Sequence, residues 1–181
     1  MANARERLFF ALMAPGPVQS TVAQLQGETL PGGGRWVGAE NLHVTLLFLG
    51  SVEPGQRKCL IRGADTVRCE PFTLVFDAPG VWQRPQVAWL GSSGQIPEAM
   101  TGLATSIEKV AQDCGISGQD RPLVPHVTMA RKIRALPAGL SRPFPPVAWP
   151  VNEFCLVRSE TRSEGVIYRV IQRWTLSPNS A

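Results

Sequence analysis

The chain is poor in the residues that most often build metal and redox sites. It holds two histidines and four cysteines in 181 residues. The cysteines, Cys59, Cys69, Cys114 and Cys155, form no Cys-x-x-Cys and have no histidine at zinc-site spacing. Neither a structural metal nor a disulfide framework is indicated, so all four are expected to be reduced thiols. No Gly-x-Gly-x-x-Gly follows a strand pattern and no Walker sequence occurs, which removes the usual routes to a nucleotide cofactor. Neither a cofactor nor a metal is expected. The N-terminal apolar run, Leu8 to Ala14, is too short for a membrane span and lacks a signal-peptide cleavage region, so a cytoplasmic protein with no membrane partner is expected.

What remains is ordinary globular composition with a basic lean. Hydrophobic residues make up 44% of the chain, enough for a core, and the simplest organisation is one domain over residues 1–181, within which two pseudo-repeated lobes would fit. The net charge of +4 is carried by fifteen arginines against three lysines. A planar guanidinium suits bidentate phosphate contacts and stacking on bases, which leans towards a phosphorylated or nucleic-acid substrate. Arginine-for-lysine bias from a GC-rich genome explains that count equally well.

The two histidines carry more information than the charge. Each opens the same tripeptide, His43-Val44-Thr45 and His126-Val127-Thr128. With ten threonines scattered at random, both histidines would find one two places downstream roughly once in three hundred trials, before the shared valine is counted. On a strand, residues two apart share a face, so each copy projects an imidazole and a hydroxyl together. An imidazole exchanges protons near neutrality, and a threonine hydroxyl donates to an anionic oxygen without changing charge. Two such pairs across a cleft would supply a general acid, a general base and two donors for one phosphoryl group. A metal held by the two histidines lacks carboxylate or cysteine partners at ligand spacing.

Strand signals run over Arg7 to Met13, Arg35 to Val37, Leu42 to Leu49, Phe72 to Phe76, Val81-Trp82 and Val87 to Leu90, the last two joined by a turn at Gln83 to Gln86. Helical spacing covers Val18 to Gln26, Glu53 to Cys69 and Pro97 to Cys114. A flexible loop is expected at Pro31 to Gly34, and Pro122 to Ile133 carries the second motif. Pro137 to Pro150 reads as a proline-rich link, followed by strands Asn152 to Arg158 and Val166 to Leu176 around a polar turn, Ser159 to Gly165. Helices interspersed with hairpin-like strand pairs favour α+β over a doubly wound fold. Strict alternation puts Leu47 and Leu49 on the face of His43, and Leu42, Val44, Leu46 and Phe48 on the other. It likewise sets Arg131, five residues after His126, on the face opposite that histidine unless the strand bulges. Phe48, at the matching position after His43, is expected in the core. Trp36, Trp82 and Trp89 are base-stacking candidates for which core packing is the default.

Several stretches resemble the two-histidine phosphoesterases, specifically the bacterial RNA 2′,3′-cyclic phosphodiesterase (2′-5′ RNA ligase-like) family. They are Arg7-Leu8-Phe9-Phe10-Ala11-Leu12, Asn41 to Leu46 with Phe48-Leu49-Gly50, Val87 to Gly91, Pro125 to Arg131, and Gly165-Val166-Ile167-Tyr168. The resemblance implies a bilobed α+β fold, two antiparallel sheets related by a pseudo-twofold with helices outside and a cleft between. It also implies metal-independent opening of a ribose 2′,3′-cyclic phosphate to a 2′-phosphate, with RNA ends or nucleoside 2′,3′-cyclic phosphates as partners. In that pattern His43 is the proton donor, His126 the proton acceptor, Thr45 and Thr128 bind the phosphate, and Arg131 binds substrate. A monomer is expected. The same resemblance allows reverse 2′-5′ RNA ligation. The rival readings are a 2′,5′-oligonucleotide or other phosphodiester hydrolase with the same chemistry and a non-catalytic RNA-binding module, and the intact histidines and threonines of both motifs argue against the last.

Overall fold

The computed structural model describes residues 5–26, 30, 34–117, 122–136, 140–141, 143–162 and 165–177. In chain order its elements are β1 (Glu6–Met13), α1 (Gly16–Leu25), β2 (Arg35–Trp36), β3 (His43–Val52), α2 (Pro54–Ala64), β4 (Phe72–Phe76), β5 (Ala78–Trp82), β6 (Val87–Gly91), α3 (Glu98–Asp113), β7 (His126–Arg131), β8 (Val147–Val151), β9 (Glu153–Arg162) and β10 (Gly165–Thr175). A 3-10 turn, Ala39–Asn41, leads into β3. The architecture is α+β, as the interspersed pattern predicts.

An eight-stranded sheet runs β10-β9-β1-β3-β7-β6-β5, with β2 added against β7, and β4 pairs with β8 in a separate two-stranded sheet. Every pairing is antiparallel. The large sheet has two wings that meet where the motif strands touch, through the single pair Val44 and Val127. Period-2 alternation sorts β1 between two apolar clusters. Leu8, Phe10 and Leu12 enter the main core, whereas Phe9 and Ala11 join a smaller cluster with Cys155 and Val157 on the opposite face. Helix α3 packs on β3, α2 on α3, and α1 on β8, so the helices cover the main core and leave the second face to form the site.

Three expectations are corrected. Pro137 to Pro150 is not all link: Val147 to Val151 is β8, whose alternation buries Val147, Trp149 and Val151. Pro150 is tolerated because β4 and β8 form a sheet of two edge strands, where a missing N–H can face outward. Helix α2 stops at Ala64, short of Cys69, and the chain leaves through turns in which Thr66 N–H reaches Gly63 O and Val67 N–H reaches Ala64 O. The cysteines are not all reduced: Cys59 on α2 and Cys114 at the end of α3 form a disulfide. The packing of α2 on α3 brings their Cα atoms to 5.8 Å although 55 residues separate them in the chain, a proximity that spacing cannot reveal. Cys69 and Cys155 are buried free thiols.

The last hairpin is longer than expected, β9 continuing to Arg162 and β10 starting at Gly165. Residues 163–164 and most of the expected loop at Pro31 to Gly34 lie outside the described residues.

Candidate active site

The Val44 and Val127 pair lies where the two motif strands cross in opposite directions. Carrying that antiparallel register one residue either way sets His43 beside Thr128 and Thr45 beside His126. Both valines are buried in the core, so the four polar residues share the opposite face. On that register each histidine lies across from the threonine of the other motif, which places the four polar residues on one patch of the sheet.

Both strands then bulge at equivalent places. On β3 the partners of Phe10 and Ala11 are Leu47 and Thr45, leaving Leu46 unpaired. On β7 the partners of Ala88 and Trp89 are Ala130 and Thr128, leaving Met129 unpaired. An extra residue reverses the alternation that follows it. Leu47 now faces the core with Val44, and Phe48 emerges on the side of His43, paired with Phe9 and 51% exposed. Phe48 is not a core residue, contrary to the parity expectation. The same device carries Arg131 onto the face of His126 and Thr128.

The imidazoles are held alike. Nδ1–H of His43 donates to the carbonyl of Asn41, and Nδ1–H of His126 donates to the carbonyl of Val124, each at 2.7 Å. A carbonyl only accepts, so Nδ1 carries the proton and Nε2 is the titrating nitrogen in both rings. Aromatic rings wall them in. Phe9 lies 5.1 Å and Tyr168 4.9 Å from the His43 ring, and Trp82 lies 4.5 Å from His126. Trp82 contacts Trp89, whose indole rests on Gly80, where any Cβ would overlap the ring. Trp36, by contrast, packs against the main core.

His43 is buried and His126 only partly so. Desolvation is the largest cause pushing the His43 pKa down to about 4; the Asn41 carbonyl opposes it, while the charges of Arg131 and His126 add to it. His126 is lowered too, first by burial and also by Arg131, against the pull of the Val124 carbonyl. That Arg131 acts on both rings accords with its place on their face. Both shifts favour the neutral imidazole.

A cavity of about 480 Å³ opens beside this patch, lined by His43, Thr128, Arg131, Arg35, Asn41 and Tyr168 among others. Thr45 and His126 are not among its lining residues. Sequence reasoning missed Asn41, whose side chain clips the last hairpin beside His43: Nδ2 donates to Val166 O, and Oδ1 accepts from Tyr168 N–H, each at 3.3 Å. It also missed the exposure of Phe48, which the bulge equivalent to that on the Arg131 strand explains. Among the described residues no group of three or more His, Cys, Asp or Glu is arranged to hold a metal ion, and no helix is long and apolar enough to cross a membrane.

A family model described as LigT like phosphoesterase matches the chain twice, over residues 12–89 and 90–168. The RNA 2′,3′-cyclic phosphodiesterase of Escherichia coli K12 is 34% identical over 175 residues, covering 95% of this chain and 97% of that protein. The protein of the same name from Thermus thermophilus is 31% identical over 183 residues, covering 94% and 90%. The crystal structure of E. coli LigT complexed with 3′-AMP superposes with a TM-score of 0.83 at 32% identity, covering 96% of this chain and 99% of that one.

Proposed function

The chain belongs to the LigT-like phosphoesterases, and from that premise we propose that it opens the 2′,3′-cyclic phosphate at an RNA end by paired histidine acid-base catalysis, leaving a 2′-phosphate. The observation that carries this is the crossing at Val44 and Val127, which sets each histidine beside the opposite threonine on one open face. The activity for which the relatives are named supplies the substrate class. RNA ends or nucleoside 2′,3′-cyclic phosphates are then the partners, the work is cytoplasmic, and the monomer suffices because every proposed site residue comes from one chain. The double match to one family model supports a single domain built of two pseudo-repeated lobes.

In this reading Thr45 and Thr128 donate to the non-bridging oxygens, and Arg131 balances phosphoryl charge that a metal would otherwise meet. His126, the more open of the two rings, takes the proton from the attacking water. His43 delivers a proton to the leaving O3′. That role requires a protonated His43, and burial works against it; the arriving phosphate anion supplies the opposite charge that favours the imidazolium. Phe48, exposed on the same face, offers a surface for the base to stack on. With a 5′-hydroxyl in place of the attacking water, the same steps would form a 2′-5′ linkage: P–O5′ forms, P–O3′ breaks, and O3′ leaves with the proton from His43.

The test is turnover of 2′,3′-cyclic AMP in excess chelator. Wild type should be active, and His43→Ala and His126→Ala should each lose about 10² to 10⁴ in kcat while keeping the wild-type circular dichroism spectrum. Full activity in either folded variant, or activity restored only by a divalent metal, would sink the mechanism. A folded wild type that binds RNA without turnover would favour the binding-module alternative.

A further inference from the structure

Strand β2 is two residues long, and its register sets Arg35 directly across from Arg131 and Trp36 across from Ala130. Directly opposed residues share a face. Trp36 and Ala130 turn into the main core, so Arg35 and Arg131 both turn outward, into the cavity that holds His43 and Thr128. Lys132, held at φ +59° just after β7, lines the same cavity. Among the described residues none of these three cations has an ion-pair partner. The carboxylate in the lining, Glu40, accepts from Asn41 Nδ2 at 3.3 Å.

Two like charges set directly opposite on a ladder are destabilising. Two unpaired guanidiniums on adjacent strands of a catalytic cleft are reconciled by anions between them. Arg131, which acts on both imidazoles, belongs to the reacting phosphate. Arg35 lies one strand further along the cavity and is left for a second anion. In an RNA 3′ end carrying a cyclic phosphate, the neighbouring phosphate is the one on the 5′ oxygen of the same ribose. We propose, on the basis of the hydrolase reading above, that Arg35 holds this 5′-side phosphate, so that the site takes an oligoribonucleotide end in preference to a free nucleoside cyclic phosphate.

The test compares adenosine 2′,3′-cyclic phosphate with the same molecule carrying a 5′-phosphate, using wild type, Arg35→Ala and Arg35→Lys. The 5′-phosphate should raise wild-type kcat/KM about tenfold, mostly through KM, as expected for one charge-assisted contact. Arg35→Ala should erase that ratio, and Arg35→Lys should keep part of it. Absence of a 5′-phosphate effect in wild type, or an undiminished effect in Arg35→Ala, overturns the proposal. Should wild type turn over neither compound, the hydrolase reading has failed, and binding of a short fluorescent RNA decides separately. Loss of Arg35 should then lower the slope of log affinity against log salt by about 0.7, the value for one phosphate of a single strand, and an unchanged slope again overturns the assignment.

Discussion

His43 shows how burying one titratable side chain couples stability to pH. Its imidazole is 9% exposed, walled by Phe9 and Tyr168, and burial drives its pKa from the ordinary 6.5 to about 4. Below pH 6.5 the unfolded chain takes up a proton on this residue that the folded chain refuses until near pH 4. The unfolded state thus binds more protons, and stability must fall as pH drops through that window while remaining flat above it. At about 1.4 kcal/mol per pH unit the full effect is on the order of 3 kcal/mol. His126 contributes in the same direction. Urea midpoints measured from pH 7.5 to 4.5 should decline more steeply for wild type than for His43→Gln, which lacks the titrating ring. Parallel curves would mean that the ring is hydrated. That each histidine shares a face with its own threonine was legible in the sequence, because a repeated His-Val-Thr needs only period-2 geometry. The place of Phe48 was not, and that of Arg131 came only from the family resemblance, because each depends on one bulged residue, Leu46 or Met129, that looks like any other apolar strand residue.

At the scale of elements, strands and helices were readable wherever period and breakers agreed, as in α3, where Met100, Leu103, Ile107 and Val110 form the buried stripe. β8 was hidden because two of its neighbours in sequence and one of its own residues are prolines, and because its partner β4 lies about seventy residues away. The link between α2 and α3 was hidden for the same reason of distance. Cys59 and Cys114 close a long loop, and cross-linking such a loop restricts the unfolded chain, typically adding about 2–4 kcal/mol of stability. Thiol titration of the unreduced, denatured protein should therefore find two reactive sulfhydryls, from Cys69 and Cys155, and four after reduction. Reduction should lower the melting temperature of wild type and leave that of Cys59→Ser unmoved. Four thiols in the unreduced sample would show that the two helices pack without the bond.

The whole molecule joins two wings at one residue pair, and the proposed reaction rests on that junction. Attack on phosphorus in line needs water and leaving oxygen on opposite sides, so acid and base must flank the phosphate, as two histidines on crossing strands can do. The motifs are nearly alike, so the choice of which ribose oxygen faces His43 falls to what differs between the wings. After the shared bulge one wing presents Phe48, an apolar ring, and the other Arg131, a cation. His43 is the more buried ring and His126 the more open, so in the proposed mechanism water would approach phosphorus from the His126 side. If, as proposed, the base stacks towards Phe48 and the phosphoryl charge is drawn towards Arg131, O3′ would meet His43, the P–O3′ bond would break, and the product would be the 2′-phosphate. Phosphorus NMR of the product from 2′,3′-cyclic AMP distinguishes the isomers directly. The 2′-phosphate should predominate in wild type, and Phe48→Ala should lose turnover mainly through KM because the stacking surface is gone. A predominantly 3′-phosphate product would mean that the nucleotide lies the other way round in the cleft, with His126 as the acid and His43 as the base.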